Sequence, residues 1–325
     1  MSLCGFQVKT MIIMKKFFIS IMAVVALAAC SKEEAVEVQK GDAIAFGDAF
    51  VDNATKAIYD EASDLEAFKV WGNVKGINAT PLALYGEDGA NVTYNTNWDC
   101  DVVRYWTPLA NYNFTAIANG VGQECENGIP TTISYTQNGG EPADLVYGTA
   151  TATTSDVCLP TGDIVDGRVA FTLRHLLARV QVQFTNQIAP DYTYNITNVK
   201  INTAKTGVYT IANAADSDPA TIAWAPAAEK VDLPYTNVTG LAATPKSAGA
   251  QLIIPGAPVV LSFDYDLIFD ETVIYSATSV TKTVTTKLAE GNSYNLNVVL
   301  KAGNEIDFTI KALTDWTSDT TVDIQ

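Results

Sequence analysis

Histidine is nearly missing from this chain: His175 is the single one in 325 residues. Ser-His-Asp and Cys-His machinery would both have to be assembled around it. It sits in Thr172-Leu173-Arg174-His175-Leu176-Leu177-Ala178-Arg179, among apolar residues and two arginines, and is expected to be structural. A GxSxG elbow, an HExxH helix, a Walker loop and a GxGxxG turn after a strand are missing as well. Cysteine is scarce too. Beyond Cys30 come Cys100, Cys125 and Cys158, with no CxxC pair, which argues against a zinc site and against a disulfide-built scaffold. One disulfide plus a spare thiol, or three reduced thiols, both fit that odd number. Positive charge is the third shortage, with 20 Lys and Arg against 36 Asp and Glu and a formal charge of −16. Such a surface repels nucleic acid and anionic membranes, which bind through Lys/Arg patches. No catalytic residue, cofactor or metal is expected, and the chain is not read as an enzyme.

What is present begins with a leader. Met14-Lys15-Lys16 is a short basic start, and Phe17 to Ala29 is an unbroken run of apolar and small residues, too short to span a bilayer as a permanent helix. The run ends in Leu27-Ala28-Ala29-Cys30, which resembles the lipobox of bacterial lipoproteins. Cys30 would then be the first mature residue, acylated and held in a membrane by its lipid chains. Met14 is the expected initiator, and Ser31-Lys32-Glu33-Glu34 is similar to surface-export tags of lipoproteins in the Bacteroides group. Residues 1–29 carry three lysines and no acid, so the 296 residues from Cys30 onward bear 17 basic and 36 acidic groups, a formal −19.

From Gly41 the pattern has period two, rich in Val, Ile, Thr, Tyr and Phe and cut by Gly, Pro, Asn and Asp. Val259, Leu261, Phe263, Tyr265, Leu267 and Phe269 fall on one face of a strand. So do Tyr294, Leu296, Val298 and Leu300 of a second, and Phe308, Ile310 and Ala312 of a third. Only Ile58 to Ala67 suggests a short helix. One-faced strands must bury that face against another sheet, so the expected fold class is all-β, built as sandwiches. The turn-rich run Thr151 to Gly167 is the expected domain break, giving an N-terminal domain over 30–166 and a C-terminal domain over 167–325. Asp264, Asp266 and Asp270 alternate with Phe263, Tyr265 and Phe269, as the solvent face of a half-buried strand does. Calcium or a glycosidase-like carboxylate pair is the functional alternative for them. Trp98, Tyr105 and Trp106 read either as sandwich core or as a sugar-binding platform.

Several stretches in order carry a resemblance: the lipobox, Ala43-Ile44-Ala45-Phe46 with Phe50 to Ala57, Phe68-Lys69-Val70-Trp71-Gly72, Tyr105-Trp106 with Tyr112 and Phe114, Phe171 to Val182, Leu288 to Tyr294, and Trp316. With these the chain resembles the fimbrillins, pilus subunits of the Bacteroidales type V system. The resemblance implies two transthyretin-like β-sandwich domains and export as a lipidated outer-membrane precursor. It also implies a trypsin-like or gingipain-like protease that removes the first strand, and a terminal strand of a neighbouring subunit that fills the vacated groove in a cell-surface fimbrium supporting adhesion. The strand removed would be about 42–56, with Ile44, Phe46 and Phe50 facing the groove and cleavage after Lys56. Arginine is the commoner residue at the family's cleavage site, so Lys56 departs from the pattern. The donor strand would be about 308–324, with Phe308, Ile310, Trp316, Val322 and Ile324. Partners would be copies of itself or related pilus subunits. The alternative is a non-polymerising surface lipoprotein that binds glycans.

Overall fold

The computed structural model of the chain describes residues 41–51, 65–139, 143–211, 224–313 and 321–322. In chain order the first strands are β1 (Phe46–Val51), β2 (Ala67–Gly76), β3 (Leu82–Ala83), β4 (Ala90–Asn95), β5 (Asn97–Cys100) and β6 (Ala110–Ala118). There follow β7 (Val121–Glu126), β8 (Ile129–Thr136), β9 (Val146–Thr154), β10 (Pro160–Gly162), β11 (Ile164–Val165) and β12 (Arg168–His175). The second half continues with β13 (Ala178–Asn186), β14 (Tyr192–Ala204), β15 (Thr206–Thr210), β16 (Trp224–Pro226), β17 (Lys230–Pro234) and β18 (Val238–Leu241). It ends with β19 (Lys246–Ile253), β20 (Val259–Phe269), β21 (Thr272–Val284), β22 (Ser293–Leu300), β23 (Ile306–Leu313) and β24 (Thr321–Val322). A 3₁₀ turn at Ala302–Asn304 is the only helical element among the described residues. Of the stretch expected to be a short helix, Ala67 instead opens β2; residues 58–64 lie outside the described residues.

The strands form four sheets. The largest runs β1-β12-β9-β6-β2-β4-β5, and its two ends both feed one core, since Phe46 of β1 and Trp98 of β5 are buried in the same cluster. In the second half, the sheet β19-β13-β22-β23-β24 faces the sheet β17-β14-β20-β21 across a second core of Val, Leu, Ile, Phe and Tyr side chains. This is sandwich packing, as the alternation demands: Val259, Leu261, Phe263, Tyr265 and Leu267 are buried in turn along β20, while Phe269 at its end is exposed. The fourth sheet, β16-β15-β8-β7, takes two strands from each half of the chain.

The turn-rich run Thr151 to Gly167 holds the end of β9, the short strands β10 and β11, and the turns between them. Asp166 and Gly167 take φ of 49° and 77° and join Val165 to Arg168 as a two-residue hairpin turn, the geometry that Asp-Gly favours. Asn127-Gly128 does the same between β7 and β8, and Asp270-Glu271 between β20 and β21. β12, which starts at Arg168, pairs antiparallel with β9 and parallel with β1 in the first sheet. Leu176 and Leu177, both fully buried, carry the chain across to β13. They belong to a third core with Trp71, Ile133, Tyr209 and Trp224, drawn from both halves. Polar ties accompany it. Arg174 donates from Nη2 to the Tyr209 hydroxyl at 2.7 Å, and Tyr209 donates to Glu290 Oε1 at 3.2 Å. Burial pushes the Glu290 carboxyl up against the pull of Arg174, and pushes Tyr209 up to about 12.

Candidate functional site

The first strand is held as a plug. Gly41 to Ile44 run antiparallel to Arg104–Trp106: Gly41 N donates to Trp106 O at 3.1 Å, Trp106 N to Asp42 O at 3.1 Å, and Ile44 N to Arg104 O at 2.8 Å. The chain then crosses to β12. Val169 N donates to Ala45 O at 2.9 Å and the Arg168 guanidinium to Phe46 O at 3.2 Å. From Phe46, opposite Val169, to Val51, opposite Leu173, the pairing is parallel. No hairpin can make a parallel pair, because the chain must travel between the two strands. Here it travels from β1 through the whole first half to reach β12. A cut between β1 and β2 would thus leave β1 attached by noncovalent contacts alone.

Those contacts are mostly apolar. Ile44 is 4% and Phe46 1% exposed. The Phe46 ring stacks on Phe171 at 6.0 Å and meets Phe114 edge-on at 5.9 Å and Phe68 at 6.4 Å, with Tyr85 tilted at 6.3 Å. Burial pushes the Tyr85 phenol well above its ordinary range. Its hydroxyl finds no hydrogen-bond partner among the described residues, a cost at the floor of the socket. Gly41 fits because it has no side chain: a Cβ there would stand 2.6 Å from Cys158 Cβ and 2.9 Å from Trp106 O. Phe50 lies on β1 in register with Thr172. Cys30 and Lys56 lie outside the described residues.

At the other end, Phe308 and Ile310 sit on β23, which pairs antiparallel with β22 along its whole length and with the short β24 at its end. Both are half-buried against the second core. The Phe308 ring lies 6.4 Å from Phe263 and 5.3 Å below Lys282 Nζ. Val322 pairs with Ala312 through β24, and Trp316 and Ile324 lie outside the described residues.

The other residues singled out by sequence have structural tasks. Trp98 and Trp106 are buried, packed on Phe68 and Tyr112 at 5.1 and 4.7 Å, so with Tyr105 they do not form a surface platform. His175 Nδ1 and Asp144 Oδ2 meet at 2.6 Å, both buried; burial pushes the Asp144 carboxyl up and the His175 contact opposes it. Asp264 accepts from Asn198 Nδ2 at 2.6 Å and Ser279 N at 2.7 Å, which hold it below the usual carboxylate range. Asp266 accepts from Ser276 Oγ at 2.5 Å. These acids brace strands and face no second carboxylate in these bonds. Among the described residues no cluster suits a metal, no disulfide forms, and no helix is long and apolar enough to cross a membrane. Cys100 and Cys125 donate to the carbonyls of Val102 and Glu87, and Cys158 packs beneath Gly41. The parallel partner of β1 was invisible in sequence, since nothing local links Phe46 to Phe171.

Comparison with known proteins adds three findings. A family model described as fimbrillin-like matches residues 55–316. A crystal structure of a fimbrial protein from Bacteroides vulgatus shares 15% identity with a TM-score of 0.48, covering 77% of this chain and 93% of that one. The fimbrial anchor protein Mfa2 from Porphyromonas gingivalis shares 14% identity with a TM-score of 0.35, over 83% and 95% of the two chains. No curated protein matches.

Proposed function

From the premise that the chain belongs to the fimbrillin-like family, we propose that it is a structural subunit of a cell-surface fimbria that polymerises by exchange of its first strand. The precursor is exported as a lipoprotein acylated at Cys30 and tethered to the outer membrane. A trypsin-like or gingipain-like protease cuts after Lys56 and releases both the tether and β1. The vacated socket then accepts a terminal strand of the next subunit, drawn from the 308–324 end. Such a contact is head-to-tail, so it propagates into a filament.

Phe46 carries this reading. A side chain fully inside a core is supplied by an edge strand that only noncovalent contacts would retain after a cut. Once β1 leaves, the β12 edge offers unpaired backbone groups beside an apolar slot, which is what an incoming strand needs. The half-buried state of β23 bears on the donor end: Phe308 and Ile310 sit within their own sheet in the monomer, so the donor is either β23 released from β22 or the residues that follow it.

The test is limited trypsin digestion of the lipid-free precursor, read by intact mass and a non-boiled gel. Loss of the segment up to Lys56 together with a ladder of stable oligomers is the expected result, and Lys56→Ala should abolish both. A trimmed protein that remains monomeric would overturn strand exchange while leaving the family assignment in place.

A further inference from the structure

We propose that the open cavity beside β1 is a binding site for a neutral saccharide, with Tyr94 as its stacking platform. The cavity encloses about 350 Å³. That lies at the lower end of the range for small-ligand sites, roughly 300–1,000 Å³. Tyr94, Asn97 and Trp98 of the β4–β5 hairpin form one side, Asp166 and Arg168 at the β11–β12 turn another, and the backbone at Gly47 a third.

Tyr94 is the residue that core packing does not explain. The residue is 42% exposed, yet its ring is backed by Trp98, directly opposite in the hairpin register, at a centroid distance of 5.3 Å. Trp98 in turn is buried against Phe68. An exposed ring fixed by a buried one offers a pre-ordered flat surface, and the C–H face of a pyranose is the complementary partner for it. The polar groups around it are mixed in kind. Asp166 accepts, Asn97 both donates and accepts, and Arg168 keeps N–H donors beyond the single one it gives to Phe46 O. Hydroxyl groups, which donate and accept, suit that set.

Charge decides the class of sugar. Asp166 and Arg168 are the carboxylate and the guanidinium of the lining, and they offset one another, so an anionic or cationic ligand gains from one what it loses to the other. An apolar ligand finds only Val165 and Ala170 besides the two rings. The hairpin tip adds a further sign of use. Thr96, which also lines the cavity, has φ of 69°, a left-handed conformation that is costly for a β-branched residue and is retained where a loop's shape matters.

The inference stands apart from strand exchange: it needs β1 seated, as in the intact chain, and needs no polymer. The full chain is titrated with the methyl glycosides of glucose, galactose, mannose and N-acetylglucosamine and with lactose, read by tryptophan fluorescence and calorimetry, with sialyllactose as the anionic comparator. The expected result is a saturable signal for at least one neutral sugar, weakened by about tenfold or more in Tyr94→Ala and in Asn97→Ala. Tyr94→Phe should retain binding, and the melting temperature should not change in any of the three. A flat response to every neutral sugar, or a response indifferent to Tyr94→Ala, overturns the site. Tighter binding of sialyllactose than of lactose overturns the neutral class.

Discussion

β1 and β23 both join a sheet from near an end of the chain, and they are held in opposite ways. β1 pairs in parallel with a strand far along the sequence and sends one aromatic ring into the centre of a core. β23 follows its partner β22 directly, pairs with it residue for residue, and keeps most of its side chains half-buried. A local antiparallel partner makes a strand easy to place and easy to re-place. A remote parallel partner with a buried anchor makes a strand whose departure leaves a hole. The first arrangement suits a lid and the second a plug.

The largest effect should come from the plug. Phe46→Ala removes a ring packed on four others and is expected to cost about 3–5 kcal/mol in urea unfolding of the intact chain. Equal or smaller losses than at β23 would erase the distinction between the two strands. A change of similar size is expected at the support behind β1. Asp144→Ala removes the carboxylate that meets the buried His175 Nδ1 at the end of β12, and removing one member of a buried pair costs about 3–5 kcal/mol. If β12 is the rail on which β1 is held, this variant should also release the first strand faster under trypsin, whereas a purely local defect would leave that rate alone. Phe308→Ala should be milder, about 1–2 kcal/mol, because its ring is only half withdrawn from water.

The difference between the two strands also explains what could be read in the sequence. The β20 face was legible because burial there follows strict alternation, and β22 and β23 because their partners are neighbours. The run ending at Asp166-Gly167 was visible as turn-rich, but which strands its turns join is given only by pairings such as Val165 with Arg168. The shared sheet of β7, β8, β15 and β16 and the socket of Phe46 both depend on partners far away in sequence, for which no local pattern exists. Tyr94 went unnoticed for another reason. One tyrosine among 14 acquires meaning only when Trp98 fixes it beside Asp166 and Arg168.

Acid should separate the two ends most finely. The rings packed on Phe46 include no carboxylate, and the buried titratable pair that supports β12 behind it is Asp144 with His175. At the far edge, Asp264 of β20 pins Ser279 of β21 by accepting its backbone N–H, and Asn198 helps hold that carboxyl below its ordinary 3.8. A carboxylate with a depressed folded pKa stabilises the fold above its unfolded value and loses that contribution as pH falls through the folded one. Asp264→Asn should therefore cost under about 1 kcal/mol at neutral pH, since the group is exposed. The gap from the parent should close as pH drops below 3.8. Amide exchange at Ser279 should quicken in the parent, and not in Asp264→Asn, over that same acid window. If β1 loosens together with Ser279 in the parent and neither loosens in Asp264→Asn, the two edges are one cooperative unit, and the plug is not independent of the sandwich it precedes.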